Sequence, residues 1–402
     1  MNSNRVSGYR ARAGVWLGLR SPDTLPEVND RSERPRLLIV ITLAEIGGAQ
    51  TYVAGLLPAL SGSFEVTVAA WGPGPLIDAC RANNVPFVPL RFVRRSLNPV
   101  FDLLGFFELV RLMRRLRPEI VHANSSKAGV LARLAAAATR VPIRIFTVHG
   151  WAFKAHDGLA SRLYLAVDRL MRPLTTMTIC VSETERAAGL AMRTCSIDRT
   201  TVIKNAVELQ PARPEPTAEP PLVLSVGRLK APKDFATLVR ATASLTSGRC
   251  RLRIAGDGPE RAALSEEIHY LGLDGVVELL GDRDDVAELL RASHLFVLSS
   301  RSEGMPMSVL EAMACGVPVV ASAVGGIPEL VVDEESGLLV EPGDSRALAR
   351  AIARMLEDRE LRQRLGAAGH ERARELFDPE RWRQEHVQLY QALLSEHASR
   401  SS

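Results

Sequence analysis

From residue 36 onward, short apolar runs alternate with longer segments of helical period, and the alternation continues almost to the end of the chain. Pro35-Arg-Leu-Leu-Ile-Val-Ile-Thr42 is rich in strand formers. Glu45-Ile-Gly47-Gly48-Ala-Gln50 follows, then a helical stretch to about Leu60. Further strands are predicted at 64–70, 85–90, 119–122, 143–148 and 175–181. Helices are predicted at 76–83, at 100–116, in the Ala-rich segment after Gly129, and behind the capping sequence Ser182-Glu-Thr-Glu185. A proline-dense segment, 211–221, then interrupts the pattern. Beyond it, strands are predicted at 222–226, 251–255, 276–280, 294–299 and 317–321, with 325–329 and 337–340 completing the sheet. Helices are predicted near 306–316, 345–357 and 361–376, and a last amphipathic helix at 381–394.

Strands that alternate with helices on both sides of a proline-rich linker predict two doubly wound, Rossmann-like α/β domains facing across a cleft. The division is 1–35 as a flexible extension, 36–208 as the first domain, 209–221 as linker and 222–379 as the second domain. A helix at about 380–396 is expected to pack back on the first domain.

The most informative stretch runs from Arg301 to Ala321, RSEGMPMSVLEAMACGVPVVA. It reads as a loop at the carboxyl end of a strand, a helix opened by Pro306, a stop at Gly316 and Pro318, and the next strand. In open α/β sheets, ligands bind at such places, and the free N–H groups of a helix start favour anions. Glu303 and Glu311 stand eight residues apart across it. Two structural readings remain open: Ser308-x-x-Glu311 as a capping box, and Glu303 as a solvated loop carboxylate.

Other strand ends carry candidate chemistry. Gly47-Gly48 is either a plain turn or a place where backbone approaches a bulky ligand. Gly227-Arg228, with Lys233 five residues on, puts two cations near one strand end, which suits a diphosphate as well as it suits solvated loop charge. His149-Gly150 follows an apolar strand. Gly256-Asp-Gly-Pro259 lacks the third glycine of a dinucleotide fingerprint, because Arg261 holds that position.

Composition narrows the classes. At 46% apolar and 24% charged over 402 residues, the chain is that of a globular protein with room for two cores. No apolar run is long enough for a membrane-spanning helix. Five scattered cysteines and eight histidines form no metal-type or redox-type spacing, so no metal is expected, and buried thiols in a reducing cytoplasm are. Residues 1–200 hold 26 Lys and Arg against 15 Asp and Glu, a net +11; residues 201–402 hold 24 against 31, a net −7. The basic half is expected to meet an anionic partner. Arg91, Arg94, Arg95, Arg111, Arg114 and Arg115 cluster around the helix at 100–116. Its apolar members Leu103, Leu104, Phe107, Val110 and Leu112 are expected to pack on the core, with contact to anionic lipid as the alternative.

Glu-x7-Glu inside EGMPMSVLEAMACGVPVVAS closely resembles the donor-binding motif of retaining glycosyltransferases of family 4, which have the two-domain GT-B fold. Gly47-Gly48, His149-Gly150, Asn205-Ala-Val207, Gly227-Arg228 with Lys233, and Gly256-Asp-Gly-Pro259 extend the resemblance over about 36–390. Two turn positions depart from the family, Ala206 and Asp234, where glycine is usual.

The resemblance implies transfer of a sugar from a nucleotide diphosphate sugar, with a UDP-sugar favoured, to a hydroxyl acceptor with retention of configuration. The acceptor would be a glycan or lipid-diphosphate-linked precursor, reached from the cytoplasm at an anionic membrane surface, without nucleic acid. It implies catalytic roles for His149, Arg228, Lys233 and Glu303. Donor contacts would come from Gly47, Gly48, Arg283, Gly304, Met307, Ser308 and Glu311 as well, and acceptor contacts from Ser126, Lys127 and Trp151. Competing classes are a dinucleotide oxidoreductase, disfavoured by the incomplete fingerprint, a sugar-nucleotide epimerase or phosphorylase, and a non-catalytic binding protein.

Overall fold

The computed structural model describes residues 34–96, 98–211, 216–245 and 250–401. Nearly all of the expected extension 1–35, and part of the linker, lie outside them.

The first domain is a seven-stranded parallel sheet in the order β3-β2-β1-β4-β5-β6-β7. Its strands are β1 Arg36–Leu43, β2 Glu65–Trp71, β3 Phe87–Leu90, β4 Ile120–Asn124, β5 Ile143–Val148, β6 Met177–Cys180 and β7 Thr200–Val202. Its helices are α1 Gly48–Ser63, α2 Pro75–Ala82, α3 Pro99–Leu116, α4 Ser126–Ala138, α5 Gly158–Met171 and α6 Glu183–Ala191. The second domain is a six-stranded parallel sheet. It contains β8 Leu222–Val226, β9 Arg251–Ala255, β10 Val277–Gly281, β11 Leu295–Leu298, β12 Val319–Ser322 and β13 Leu338–Val340, in the order β10-β9-β8-β11-β12-β13. Its helices are α7 Phe235–Ala243, α8 Arg261–Tyr270, α9 Val286–Arg291, α10 Met307–Ala314, α11 Ile327–Leu330, α12 Ser345–Glu357 and α13 Arg359–Leu376. The expected pair of doubly wound α/β domains is thus the observed architecture.

Parallel strands covered on both faces read as unbroken apolar runs, and Leu37 to Ile41 are all at most 1% exposed. One face of the first sheet is covered by α1 and α2, the other by α3 and α4. The pattern does not announce β7, only three residues long, nor α5, α7 and α9. Residues 325–329, expected in the sheet, form a turn and the start of α11. Asp234, where the family resemblance expects glycine, accepts from the Thr237 N–H (3.3 Å) to cap α7 and pairs with Arg301 (2.9 Å).

The last helix, α14 (Pro379–Ser401), follows the second domain in sequence but packs on α1 of the first. Trp382, Tyr390 and Leu393 enter that domain's core. A directed chain of buried hydrogen bonds fastens it. His386 Nδ1 donates to the Trp382 carbonyl (2.8 Å), so its Nε2 must accept, and it does so from the Tyr52 hydroxyl (2.6 Å). Tyr52 accepts from the Thr147 hydroxyl (3.2 Å), and Thr147 from His122 Nε2 (2.7 Å). His122 Nδ1 is left to accept from the Tyr390 hydroxyl (2.7 Å). The chain starts and ends on α14 and crosses α1, β4 and β5. Every member is at most 1% exposed, so a missing partner is expensive.

Two outcomes follow. Tyr390→Phe leaves His122 Nδ1 without a donor and should cost about 1–3 kcal/mol in urea denaturation. Burial lowers the pKa of His122, and that of His386 to about 4. Stability should therefore be full above the ordinary histidine range and fall as pH drops from about 6.5 toward 4, because the unfolded chain takes up protons that the folded one refuses. A melting temperature flat across that window would contradict this.

Candidate active site

The strand ends of the two domains face each other across a cavity of about 680 Å³. The first domain contributes Gly47 and Gly48, between β1 and α1, and His149 after β5. The second contributes Gly227 and Arg228 after β8, Lys233, Arg283 after β10, Glu303 after β11, and Met307, Ser308 and Glu311 of α10. A smaller cavity of about 290 Å³ adjoins it and shares Met307 and Glu311.

Each candidate cation is matched by a carboxylate. Arg228 reaches across the cleft to Glu45 (2.8 Å). Lys233 pairs with Glu303 (2.6 Å), whose same oxygen accepts from the Ser300 hydroxyl (2.7 Å). Arg283 donates to Asp285 (2.7 Å). Carboxylates outnumber cations in the lining, with Glu45, Asp282, Asp284, Glu303 and Glu311 against Arg228, Lys233 and Arg283. Burial first, then the neighbouring Arg95 and Arg228, hold the Lys230 ammonium below its usual pKa.

Helix α10 resolves the two readings of Glu311. Pro306 takes the N-cap position, so the helix already runs at Ser308, and no side-chain cap is formed. Glu311 is therefore one turn inside the helix, not a partner in a capping box. It lines the cavity, and burial raises its pKa. The first N–H groups of the helix, at Met307 and Ser308, have no acceptor one turn back and open on the same space.

His149 is held by geometry on both sides. Its Nε2 lies 2.9 Å from Asn124 Oδ1, and Tyr52 meets its ring edge to face at 4.8 Å. Burial, and then His386, lower its pKa to about 4, so the imidazole is neutral near pH 7. Gly304 does not line the cavity; it touches the first domain. A Cβ there would stand 2.1 Å from the His149 carbonyl oxygen. Gly325, at φ +55°, allows the same loop to fold, since a Cβ would meet the Glu303 carbonyl at 1.7 Å. Behind them, Glu329 of α11 accepts from the Thr184 N–H (2.9 Å) and hydroxyl (3.0 Å) at the start of α6, and pairs with Lys204 (3.1 Å). Asn205 Nδ2 donates to the Met305 carbonyl (2.8 Å).

The three residues expected on the acceptor side do not line this cavity. Trp151 is 3% exposed, and its indole N–H donates to the Glu185 carbonyl (2.8 Å) of α6, so it is a packing residue. Lys127 is ion-paired with Asp102 of α3 and donates to the Ser96 carbonyl (2.5 Å). Ser126 is exposed at the start of α4. Glu45 and Asn124 carry no comparable signal in sequence, because their partners lie 183 and 25 residues away.

Comparison with known proteins agrees in both halves. Residues 46–211 match the family model described as Glycosyltransferase Family 4, and residues 207–372 that described as Glycosyl transferases group 1. The chain is 30% identical over 354 residues to the putative glycosyltransferase EpsD of Bacillus subtilis, covering 82% of this chain and 90% of that one. It is 29% identical over 324 residues to the UDP-Gal:alpha-D-GlcNAc-diphosphoundecaprenol alpha-1,3-galactosyltransferase of Escherichia coli, covering 74% and 81%. Among solved structures, Anabaena Alr3699/HepE in complex with UDP and glucose superposes with a TM-score of 0.78 at 21% identity, over 89% of this chain and all of that one. That last likeness is one of fold.

The Glu45–Arg228 pair makes a prediction independent of any sugar. Both side chains are 39% exposed, so the pair is weak, but it neutralises a cation facing the cavity. Glu45→Gln should tighten binding of inorganic pyrophosphate by about twofold to fivefold in titration calorimetry. Unchanged or weaker binding would place the anion elsewhere.

Proposed function

Because the chain belongs to the family 4 glycosyltransferases, with their two-domain GT-B fold, and is a hexosyltransferase, we propose that its donor is a UDP-sugar. We propose further that its acceptor is a hydroxyl of a lipid-diphosphate-linked glycan precursor, and that anomeric configuration is retained. The observation that carries this reading is the meeting of Arg228, Lys233 and the start of α10 on one cavity with Glu303 and Glu311. The UDP in the Anabaena complex and the diphosphoundecaprenol acceptor in the Escherichia coli relative's name support it.

In this reading the donor diphosphate competes with Glu45 for Arg228 and with Glu303 for Lys233. The departing diphosphate gathers negative charge as the glycosidic bond breaks. A guanidinium fork, an ammonium and oriented N–H groups stabilise that charge more than they stabilise the ground state. They take the place that a metal ion would fill. Glu303, released from Lys233, can accept hydrogen bonds from sugar hydroxyls, and Glu311 from the ribose hydroxyls. Gly47 and Gly48 close over the phosphates, Arg283 lies toward the base, and the neutral His149 faces the sugar. Among the described residues no helix is long and apolar enough to cross a membrane. The reading places the enzyme in the cytoplasm, peripheral to the inner face of the membrane.

Incubating the full chain with UDP-sugars, a lipid-diphosphate acceptor and a chelator tests the reading. UDP release should match sugar transferred, and the new linkage should keep the donor's anomeric configuration. UDP release without a glycosylated acceptor, or isomerised sugar nucleotide with no acceptor present, would overturn it. Arg228→Ala and Lys233→Ala should each lower kcat, at a cost of about 3 kcal/mol in transition-state stabilisation.

Glu311→Gln separates ribose binding from a packing role. It should raise the donor KM while the melting temperature barely moves. Unchanged kinetics would leave Glu311 without a part in donor binding.

A further inference from the structure

The apolar members of α3 do not all pack inward as expected. Val110 and Leu112 are buried, but Val100 is 66% exposed, Leu103 59%, Leu104 40% and Phe107 57%. These four recur at helical spacing on one face, and Arg111 and Arg114 continue that face toward the helix end, both exposed. Helix α5 repeats the arrangement, with Leu159 82%, Leu163 61% and Leu170 68% exposed, beside exposed Arg162 and Arg169. Seven of the thirteen large apolar side chains that stand exposed among the described residues thus lie on these two helices. Both pack against α4, so they flank it on the same face of the first domain.

The acids within these two helices are turned toward the fold, while Asp157, just before α5, is exposed. Asp102 pairs with Lys127, and Glu108 accepts the N–H groups of Arg91 (2.8 Å) and Phe92 (3.1 Å). Asp168, the one acid of α5, is 8% exposed and lies near the buried Arg133. Exposed apolar side chains flanked by Arg111, Arg114, Arg162 and Arg169, against the one exposed acid Asp157, match a bilayer whose headgroups are anionic. They do not suit a second copy of the same face, which would bring like charges together.

We propose that the outer face of α3 and α5 seats on an anionic bilayer, with their exposed leucines and Phe107 entering the headgroup layer. The N-terminal ends of both helices follow the strand ends that face the cleft, so the exposed apolar residues of α3, with Leu159 and Leu163 of α5, lie on the cleft side. A lipid-borne acceptor would then reach the cavity with its lipid still in the bilayer. In this last respect the inference rests on the acceptor reading above; the docking itself does not.

Flotation of the full chain with vesicles tests it, without donor or acceptor. The protein should bind vesicles of equal parts phosphatidylglycerol and phosphatidylcholine and ignore phosphatidylcholine alone. Part of the binding should survive about 1 M salt, where screening leaves only the apolar contribution. Leu103→Gln/Phe107→Gln, and separately Leu159→Gln/Leu163→Gln, should each weaken binding by about tenfold or more at unchanged melting temperature. All four positions are exposed, so the fold should tolerate them. Failure of the wild type to bind anionic vesicles would overturn the proposal. So would binding unaffected by both pairs, or light scattering that shows a dimer broken by them. Vesicle binding without sugar transfer would instead sink the proposed reaction and leave the docking face standing.

Discussion

Backbone meets backbone where Gly304 lies against the carbonyl oxygen of His149, with no room for even a methyl group between them. That contact sets how near the two sets of strand ends come. Glu329 of α11, bonded to the start of α6, and Asn205, on the Met305 carbonyl, hold the same approach from behind. With the spacing fixed, Arg228 of one domain can reach Glu45 of the other, and the glycines of the first domain stand over the start of α10. Helix α14 adds a second tie, since its buried hydrogen-bond chain docks the end of the polypeptide onto the first sheet.

The consequence is a cavity lined by parts that neither domain holds alone. The cations Arg228 and Lys233 are both paired, but the pairs are of unequal kind. Arg228–Glu45 spans the domains and is partly solvated, whereas Lys233–Glu303 lies within one loop region and is more enclosed. In the proposed reading, a diphosphate replaces both carboxylates with one ligand of higher charge.

Much of this was legible in the sequence. Parallel strands buried on both faces leave unbroken Val, Leu and Ile runs, so both sheets could be drawn from the pattern. Cations and glycines at strand ends could be found because their places follow from chain order. Long-range partners could not, and Glu45 and Asn124 are the examples. Trp151 was placed on the acceptor side by the family resemblance, yet its indole is spent on the backbone of α6. The capping box failed because Pro306 starts the helix earlier than Ser308 allows.

Hydrogen–deuterium exchange with and without UDP tests the central claim most directly, that one donor is held by both domains at once. UDP should protect amides near Gly47 and Gly48 in the first domain together with those around Met307 and Ser308 in the second. Protection confined to one domain, or absent from both segments, would contradict the account.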